Sequence, residues 1–261
     1  MKFLFIGDIV GKPGRRCLQR NLKDIREKYS IDLVIANAEN AAGGAGITEK
    51  VVREIKAAGV DVLTGGNHCW DRKDIFNFID REPYLVRPLN LPEATTPGSG
   101  SVIYEIEGKG IKAAVINLIG RVFMSPADCP FQTIDRELVK LKSNAEIIIV
   151  DIHAEATSEK QALGWYLDGR VSAVIGTHTH VQTADQRLLS QHTAYISDAG
   201  MTGLYDSILG VDIEGPLKRF TTRLPHPLNI GEGPTVFNAV VVEVDEENGQ
   251  AKSIQRISDI I

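Results

Sequence analysis

Five short apolar runs in this sequence each stop on a side chain able to hold a metal ion. FLFIG runs into Asp8, and LVIANA into Glu39 and Asn40. VDVLTGG runs into Asn67 and His68, EIIIVDI into His153, and SAVIGT into His178-Thr179-His180. Runs this short, apolar and rich in β-branched residues are strands buried on both faces, as in a mainly parallel sheet. In such a sheet the carboxyl ends of the strands line one edge, where ligands bind. Each polar residue alone has an ordinary explanation: Asp8 as a turn residue, Glu39-Asn40 as a polar loop, His153 as a satisfied structural histidine. Those explanations do not account for all five together.

The segments between these runs are helical in pattern. Strands are expected at Lys2–Ile6, Asp32–Ala36 and Val60–Thr64, with a helix over 14–28 that puts Cys17, Leu18, Leu22 and Ile25 on one face. A second helix is expected over 49–58 with Thr48 as N-cap, and a short one over 72–80. Ser101–Glu105 and Ile111–Leu118 flank Gly108-Lys109-Gly110 as a hairpin. A helix over 133–143 precedes the strand Ile147–Ile152, and strands follow at Val171–Gly176 and Thr193–Ser197. Thr235–Val244 and Ala251–Ile257 close the chain as antiparallel strands around an Asn248-Gly249 turn. No repeat or Pro/Ser-rich linker divides the sequence, so one α/β domain spanning 1–261 is expected.

Composition removes several classes. At 43% hydrophobic residues the chain can bury a core and is not disordered. No apolar run approaches the roughly 18 residues of a membrane span, and Gly7-Asp8 cut the first run too short for a signal peptide. Three widely spaced cysteines without a CxxC argue against a disulfide framework and for a reducing cytoplasm. A net charge of −5 argues against a protein that coats nucleic acid. The basic residues of 12–28 (Lys12, Arg15, Arg16, Arg20, Lys23, Arg26 and Lys28) read most simply as a solvated helix face.

Two histidines at i and i+2, such as His178 and His180, share one side of an extended strand, whereas on a helix they diverge by roughly 200°. Gly176, and Gly65-Gly66 before Asn67, are expected to relieve the backbone at their strand ends. The nitrogen and oxygen donors, without thiolate, argue against a structural cysteine-type zinc site and suit iron, manganese, zinc or cobalt. The donors exceed the needs of one open catalytic ion, so two divalent ions sharing a carboxylate are expected. Their charge exceeds that of Asp8, Glu39 and a hydroxide, which leaves the site positive and suited to in-line hydrolysis of an anionic phosphoester.

The order Asp, Gly-Asn-His, lone His, Gly-x-His-x-His resembles the calcineurin-like metallophosphoesterases. Two departures, Asp8-Ile9-Val10 in place of Asp-x-His and Ala38-Glu39-Asn40 in place of Gly-Asp, match one branch of them. GDIVGKPGR, NAENAAGGAGIT, GGNHCWD, DIHAEATSEKQALGWYLDGR, GTHTHVQTAD and SDAGMTGLYDSILG resemble the YmdB-like 2′,3′-cyclic-nucleotide 2′-phosphodiesterases. The resemblance implies a layered β-sheet core flanked by helices, and two divalent ions, iron or manganese, with zinc also compatible. It implies that Asp8, Glu39 and His180 hold one ion, with Glu39 bridging, and that Asn40, Asn67, His153 and His178 hold the other. His68 becomes the general acid that protonates the departing ribose oxygen. The implied partner is a small phosphodiester, with no membrane and no nucleic-acid coat. Two other readings use the same ligands: a phosphomonoesterase, and a metal-bound regulatory protein acting through partner contact. A homo-oligomer is expected only because symmetric ones are common.

Other residues compete with simpler readings. Gly43-Gly44-Ala45-Gly46 before a helix is either a phosphate cradle or a flexible loop. Gly11-Lys12-Pro13-Gly14-Arg15 lacks the Gly-Lys-Ser/Thr ending of a Walker loop. Arg87 and Arg121 are candidate phosphate contacts, Asp151 a candidate partner for the His153 ring, and Asp198 a candidate pocket wall. Cys69 is read as structural; His192 and His226 fall outside every motif.

Overall fold

The computed structural model describes residues 1–92 and 94–261. The chain opens with β1 (Lys2–Ile6), β2 (Asp8–Ile9), α1 (Gly11–Tyr29), β3 (Leu33–Asn37), α2 (Glu49–Ala57), β4 (Val62–Thr64) and β5 (Leu85–Val86). It continues with β6 (Ser101–Ile106), β7 (Ile111–Ile119), α3 (Pro130–Leu141), β8 (Ile147–His153), α4 (Thr157–Tyr166) and β9 (Ala173–Thr177). Then follow β10 (Arg187–Leu188), β11 (Ala194–Ile196), β12 (Met201–Leu204), α5 (Glu214–Thr222), β13 (Thr235–Val244) and β14 (Ala251–Ile260).

The strands form two sheets. In the first, β1, β3, β4 and β5 run parallel, β13 joins β1 antiparallel, and β12 and β14 pair with β13. In the second, β7, β8, β9 and β11 run parallel between the antiparallel edge strands β6 and β10. Alternation along each strand explains how they stack. Phe3 and Phe5 of β1, Ile35 of β3, Ile147 and Ile149 of β8 and Ile175 of β9 point into a shared core between the sheets. The alternate residues Leu4 and Ile6 pack under Leu18 and Leu22 of α1 and Val52 and Ile55 of α2. Ile148, Val150 and Ile152 pack under Ile134 and Leu138 of α3 and Leu163 of α4. The result is four layers, helix–sheet–sheet–helix, and the layered α/β architecture read from the sequence is the observed one. Among the described residues no helix is long and apolar enough to cross a membrane.

Several local expectations shift. The helix expected over 14–28 begins at Gly11, because Pro13 fits a first helical turn, whose N–H groups have no intrahelical partner. Thr48 caps α2 as expected, its hydroxyl accepting from the Val51 N–H at 3.3 Å. The helix expected over 72–80 is two short 3-10 segments, Lys73–Asn77 and Ile79–Arg81, anchored by Ile75 and Ile79. So short a stretch has too few turns to propagate a helix beyond its costly nucleus. α4 escapes the periodicity reading because two of its buried residues, Glu159 and Lys160, are charged.

Phe5 is fully buried between the sheets. Phe5→Ala is expected to cost about 3–5 kcal/mol, since the cavity cannot collapse between two rigid strand layers. Urea denaturation measures it, and a loss below about 1 kcal/mol would contradict a shared inter-sheet core.

Candidate metal centre

All seven ligand-type residues and His68 come together where the strand ends of the two sheets meet. Asp8 leaves β1 directly into the β2–β12 bridge, where it is paired with Met201. Its Oδ2 accepts from the His178 backbone N–H at 3.2 Å. Glu39 sits two residues past the end of β3, its N–H held by the Asn37 side chain at 3.1 Å. Glu39 Oε2 accepts from the His68 N–H at 2.8 Å, and Oε1 lies 3.0 Å from His153 Nε2. His153 Nε2 also faces Asn67 Oδ1 at 2.9 Å and His178 Nδ1 at 3.0 Å. Glu39, His153 and His178 thus offer ligand atoms all within 4.8 Å of one another. On the other side, His180 Nε2 lies 3.3 Å from Asn40 Oδ1 and 3.8 Å from Asp8 Oδ1. Asn40 Oδ1 thus touches the Asp8–His180 side of the cluster.

The paired histidines arrive by a different route from the one the spacing suggested. β9 ends at Thr177, and His178 (φ 102°) and His180 (φ 64°) both adopt left-handed backbone. Strand alternation does not bring their rings in; a strained turn does, at a cost of order 1–3 kcal/mol for each such residue. Buried partners hold that turn. Asp198 Oδ2 accepts from the Thr179 N–H at 2.9 Å and its hydroxyl at 2.8 Å, and from Lys160 Nζ at 2.8 Å. Asp198 is thus a brace rather than a pocket wall. Gly176 and Gly66 are also explained differently. A Cβ on Gly176 would stand 1.8 Å from the Ser197 carbonyl oxygen, and one on Gly66 would stand 2.2 Å from Glu39 Oε2. Close approach, not a positive φ, requires glycine at both.

Ring orientation is set from behind. Thr177 Oγ1 donates to Asp151 Oδ1 at 2.7 Å and so accepts from His153 Nδ1–H at 2.9 Å, leaving Nε2 for the cluster. Asp151 therefore acts on the ring through Thr177, not by direct contact. His180 Nδ1–H donates to the Leu209 carbonyl at 3.0 Å, which leaves Nε2 turned to Asp8 and Asn40. His178 Nε2 faces Glu155 at 3.2 Å. Such outer partners fix the tautomer of a metal-binding imidazole. Asn37, Lys160, Thr177 and Leu209 were not singled out in the sequence. Only Asn37, a polar residue inside an apolar strand, carries a local signal.

The electrostatics are those of a cation site. Burial pushes Asp8 above the usual carboxylate range, against the pull of His180 and His153. Burial also works to raise Glu39, but the charge and hydrogen bond of His153 outweigh it and hold Glu39 at about 2. Burial alone would lower His153, yet Glu39 and Asp8 raise it to about 9. The negative field that keeps a proton on His153 also attracts a divalent cation. Two further observations fit one. Asp8 Oδ1 is buried with no hydrogen-bond partner, and a Cβ at Gly66 would intrude to 2.5 Å from His153 Nε2.

The weaker candidates resolve plainly. The Arg87 guanidinium is buried and donates to the carbonyls of Pro88 at 2.8 Å and Pro97 at 3.3 Å, so it supports a loop rather than a ligand. Arg121 is exposed, two residues past the β7 position paired with His153. Gly43, Gly44 and Gly46 all have positive φ and form a tight turn clasped by Arg72, while Thr48 already caps the helix beyond. Cys69 is buried, accepts from the Gly66 N–H at 3.1 Å, and is pushed up to about 12 by burial, so it is structural.

A family model described as "YmdB-like protein" matches residues 4–257. The chain belongs to the YmdB-like family. It is 51% identical over 257 residues, 98% of this chain and 96% of the other, to the 2′,3′-cyclic-nucleotide 2′-phosphodiesterase of Bacillus subtilis. A solved structure of a novel phosphatase from Mycoplasma pneumoniae superposes with a TM-score of 0.93 at 35% identity, covering 100% of this chain and 93% of that one. A hypothetical protein from Thermus thermophilus gives 0.91 at 43% identity, covering 100% and 99%. The 5′-nucleotidase of Candida albicans, at 14% identity and a TM-score of 0.57, covers 98% of this YmdB-like chain and 50% of its own, and shares the fold.

Two substitutions test how the centre is supported. Thr177→Val keeps the shape but removes the link between Asp151 and His153, and metal affinity is expected to fall about 10–100-fold. Metal titration of the two proteins checks it; unchanged affinity would show that the ring is oriented by packing alone. Lys160→Met leaves Asp198 buried and uncompensated, with an expected loss of about 3–5 kcal/mol in denaturant melts.

Proposed function

We propose that this chain is a dinuclear metal-dependent phosphodiesterase that opens 2′,3′-cyclic nucleotides to 3′-phosphates within one domain spanning 1–261. The observation that carries the reading is the double cluster, Asp8–Asn40–His180 beside Asn67–His153–His178, with Glu39 reaching the second group and linked to His68. Asp8, Asn40 and His180 would hold one divalent ion and Asn67, His153 and His178 the other, with Glu39 between them; iron or manganese suits such donors. Two such ions would offset charge on the transferring phosphorus and make water nucleophilic at neutral pH. The name of the Bacillus relative and the identity shared with it support the substrate class.

The residues of the chain divide the remaining work. Rupture of the P–O2′ bond leaves an alkoxide, a poor leaving group unless it is protonated. We assign this step to His68, whose backbone N–H is bonded to Glu39 and whose partly exposed ring pairs through Nδ1 with Asp71 Oδ2 at 2.8 Å. Nδ1–H donates to Asp71, so Nε2 is the nitrogen left to carry a proton to O2′. Asp71, in the stretch GGNHCWD, is the positioning partner of His68.

Purified protein is expected to hold close to two metal equivalents and to convert 2′,3′-cyclic AMP to 3′-AMP. His68→Ala is expected to keep its metals and lose about 10²–10⁴-fold in kcat. Metal-replete protein that hydrolyses no phosphoester would overturn the reading and favour a regulatory metal protein. The Mycoplasma relative is called a phosphatase, so monoester and diester chromogenic substrates belong in the same assay. Faster turnover of the monoester would replace the diesterase reading with a phosphomonoesterase.

A further inference from the structure

The basic band of α1 takes no part in the metal centre. Lys12, Arg16 and Arg20 recur every fourth residue and stack along one side of the helix, all three exposed. Like charges at this spacing repel and weaken a helix. Among the described residues only Arg16 of the three has an ion pair, to Glu232 at 3.6 Å across largely solvated side chains. A solvated face would need nothing more, but this face borders a cavity of about 470 Å³. That volume is in the range of small-molecule sites. The opposite wall is the 230–233 segment, and none of the residues of the candidate metal centre lines the space.

The lining has two characters. Lys12, Arg16 and Arg20 supply the positive charge, while Pro13 and Ile230 supply an apolar wall. Arg15 also lines the cavity but is committed to Glu54 at 2.9 Å and to the Ala41 carbonyl at 2.6 Å. Glu232 pairs with Arg16, and among the described residues Lys12 and Arg20 have no ion pair. Guanidinium groups engage phosphate oxygens in pairs and the lysine acts as a point charge. We propose that this cavity is a binding site for a nucleotide-sized phosphomonoester, its dianionic phosphate on the Lys12–Arg16–Arg20 band and its organic body against Pro13 and Ile230.

The site adjoins the loop that carries Asn40. Gly43 lines the cavity, and a Cβ on Gly44 would stand 3.2 Å from Ile230 Cδ1. The Gly44 carbonyl in turn accepts from Asn40 Nδ2 at 3.1 Å. An occupant therefore touches the segment that positions one side of the metal centre. Binding at the α1 cavity does not depend on which substrate the metal centre takes.

The test is calorimetric titration of metal-loaded protein with 5′-AMP, compared with Lys12→Ala/Arg20→Ala and with adenosine as the ligand lacking phosphate. Both substituted residues are exposed, so fold and metal content should be retained. Binding is expected to weaken about tenfold or more in the double variant and with added salt. Hydrogen exchange should show protection over 11–21 and 230–235. Equal affinity in the two proteins, with protection confined to the strand ends of the metal centre, would overturn the proposal. So would equal binding of adenosine, or no saturable binding at millimolar 5′-AMP.

Discussion

Burial of carboxylates at the joint between two sheets governs this molecule. Asp8, Glu39 and Asp151 are at most 2% exposed. An ionised carboxylate removed from water costs several kcal/mol unless it is paired and hydrogen-bonded. Asp151 is satisfied entirely by protein, with Thr64, Thr177 and Asn37 around it. Glu39 is satisfied by His153 and the His68 N–H. Asp8 is only half satisfied, since one oxygen meets the His178 N–H and the other has no hydrogen bond, only the His180 and His153 rings at 3.8 and 3.9 Å. A divalent cation between these groups would turn this electrostatic liability into binding energy.

That arrangement depends on the four-layer architecture. β1, β3 and β4 deliver Asp8, Glu39 and Asn67 from one sheet, and β8 and β9 deliver His153 and His178 from the other. Helices cover the outer faces of both sheets, so the end where the strands stop is left for polar residues. Ligands set on strand ends inherit the rigidity of the inter-sheet core. Of these residues His178 and His180 alone adopt left-handed backbone, and there Asp198 and Lys160 provide the constraint that a strand would otherwise supply.

These differences explain what could be read in the sequence. Strand ends were legible because buried parallel strands are apolar throughout and stop abruptly, so Asp8, Glu39, Asn67 and His153 stand out against their runs. α2 was legible through Thr48 and its apolar spacing. The left-handed backbone at His178 and His180 was not, because nothing local distinguishes it from continued strand; the force that bends it comes from Asp198, 20 residues after His178. Lys160 was hidden for the same reason, since a lysine on a helix is ordinarily solvated and only the fold shows it buried against Asp198. Two-residue strands such as β2 and β5 are too short to carry a period.

The absence of the Asp-x-His and Gly-Asp patterns has a physical reading as well. Val10, where Asp-x-His would place an imidazole, is buried in a small apolar cluster with Met201 and Val236. The position has therefore become packing, and the imidazole near Asp8 on this side is that of His180, 3.8 Å away. In place of Gly-Asp, the chain has Glu39 two residues beyond a strand, and the longer side chain reaches His153 of the opposite sheet. Carboxamides and imidazoles are neutral ligands, so a centre built from them with only Asp8 and Glu39 as anions would keep much of the charge of any cation it held. An acidic chain can in this way present a positive surface to phosphate without placing a lysine at the reacting atoms.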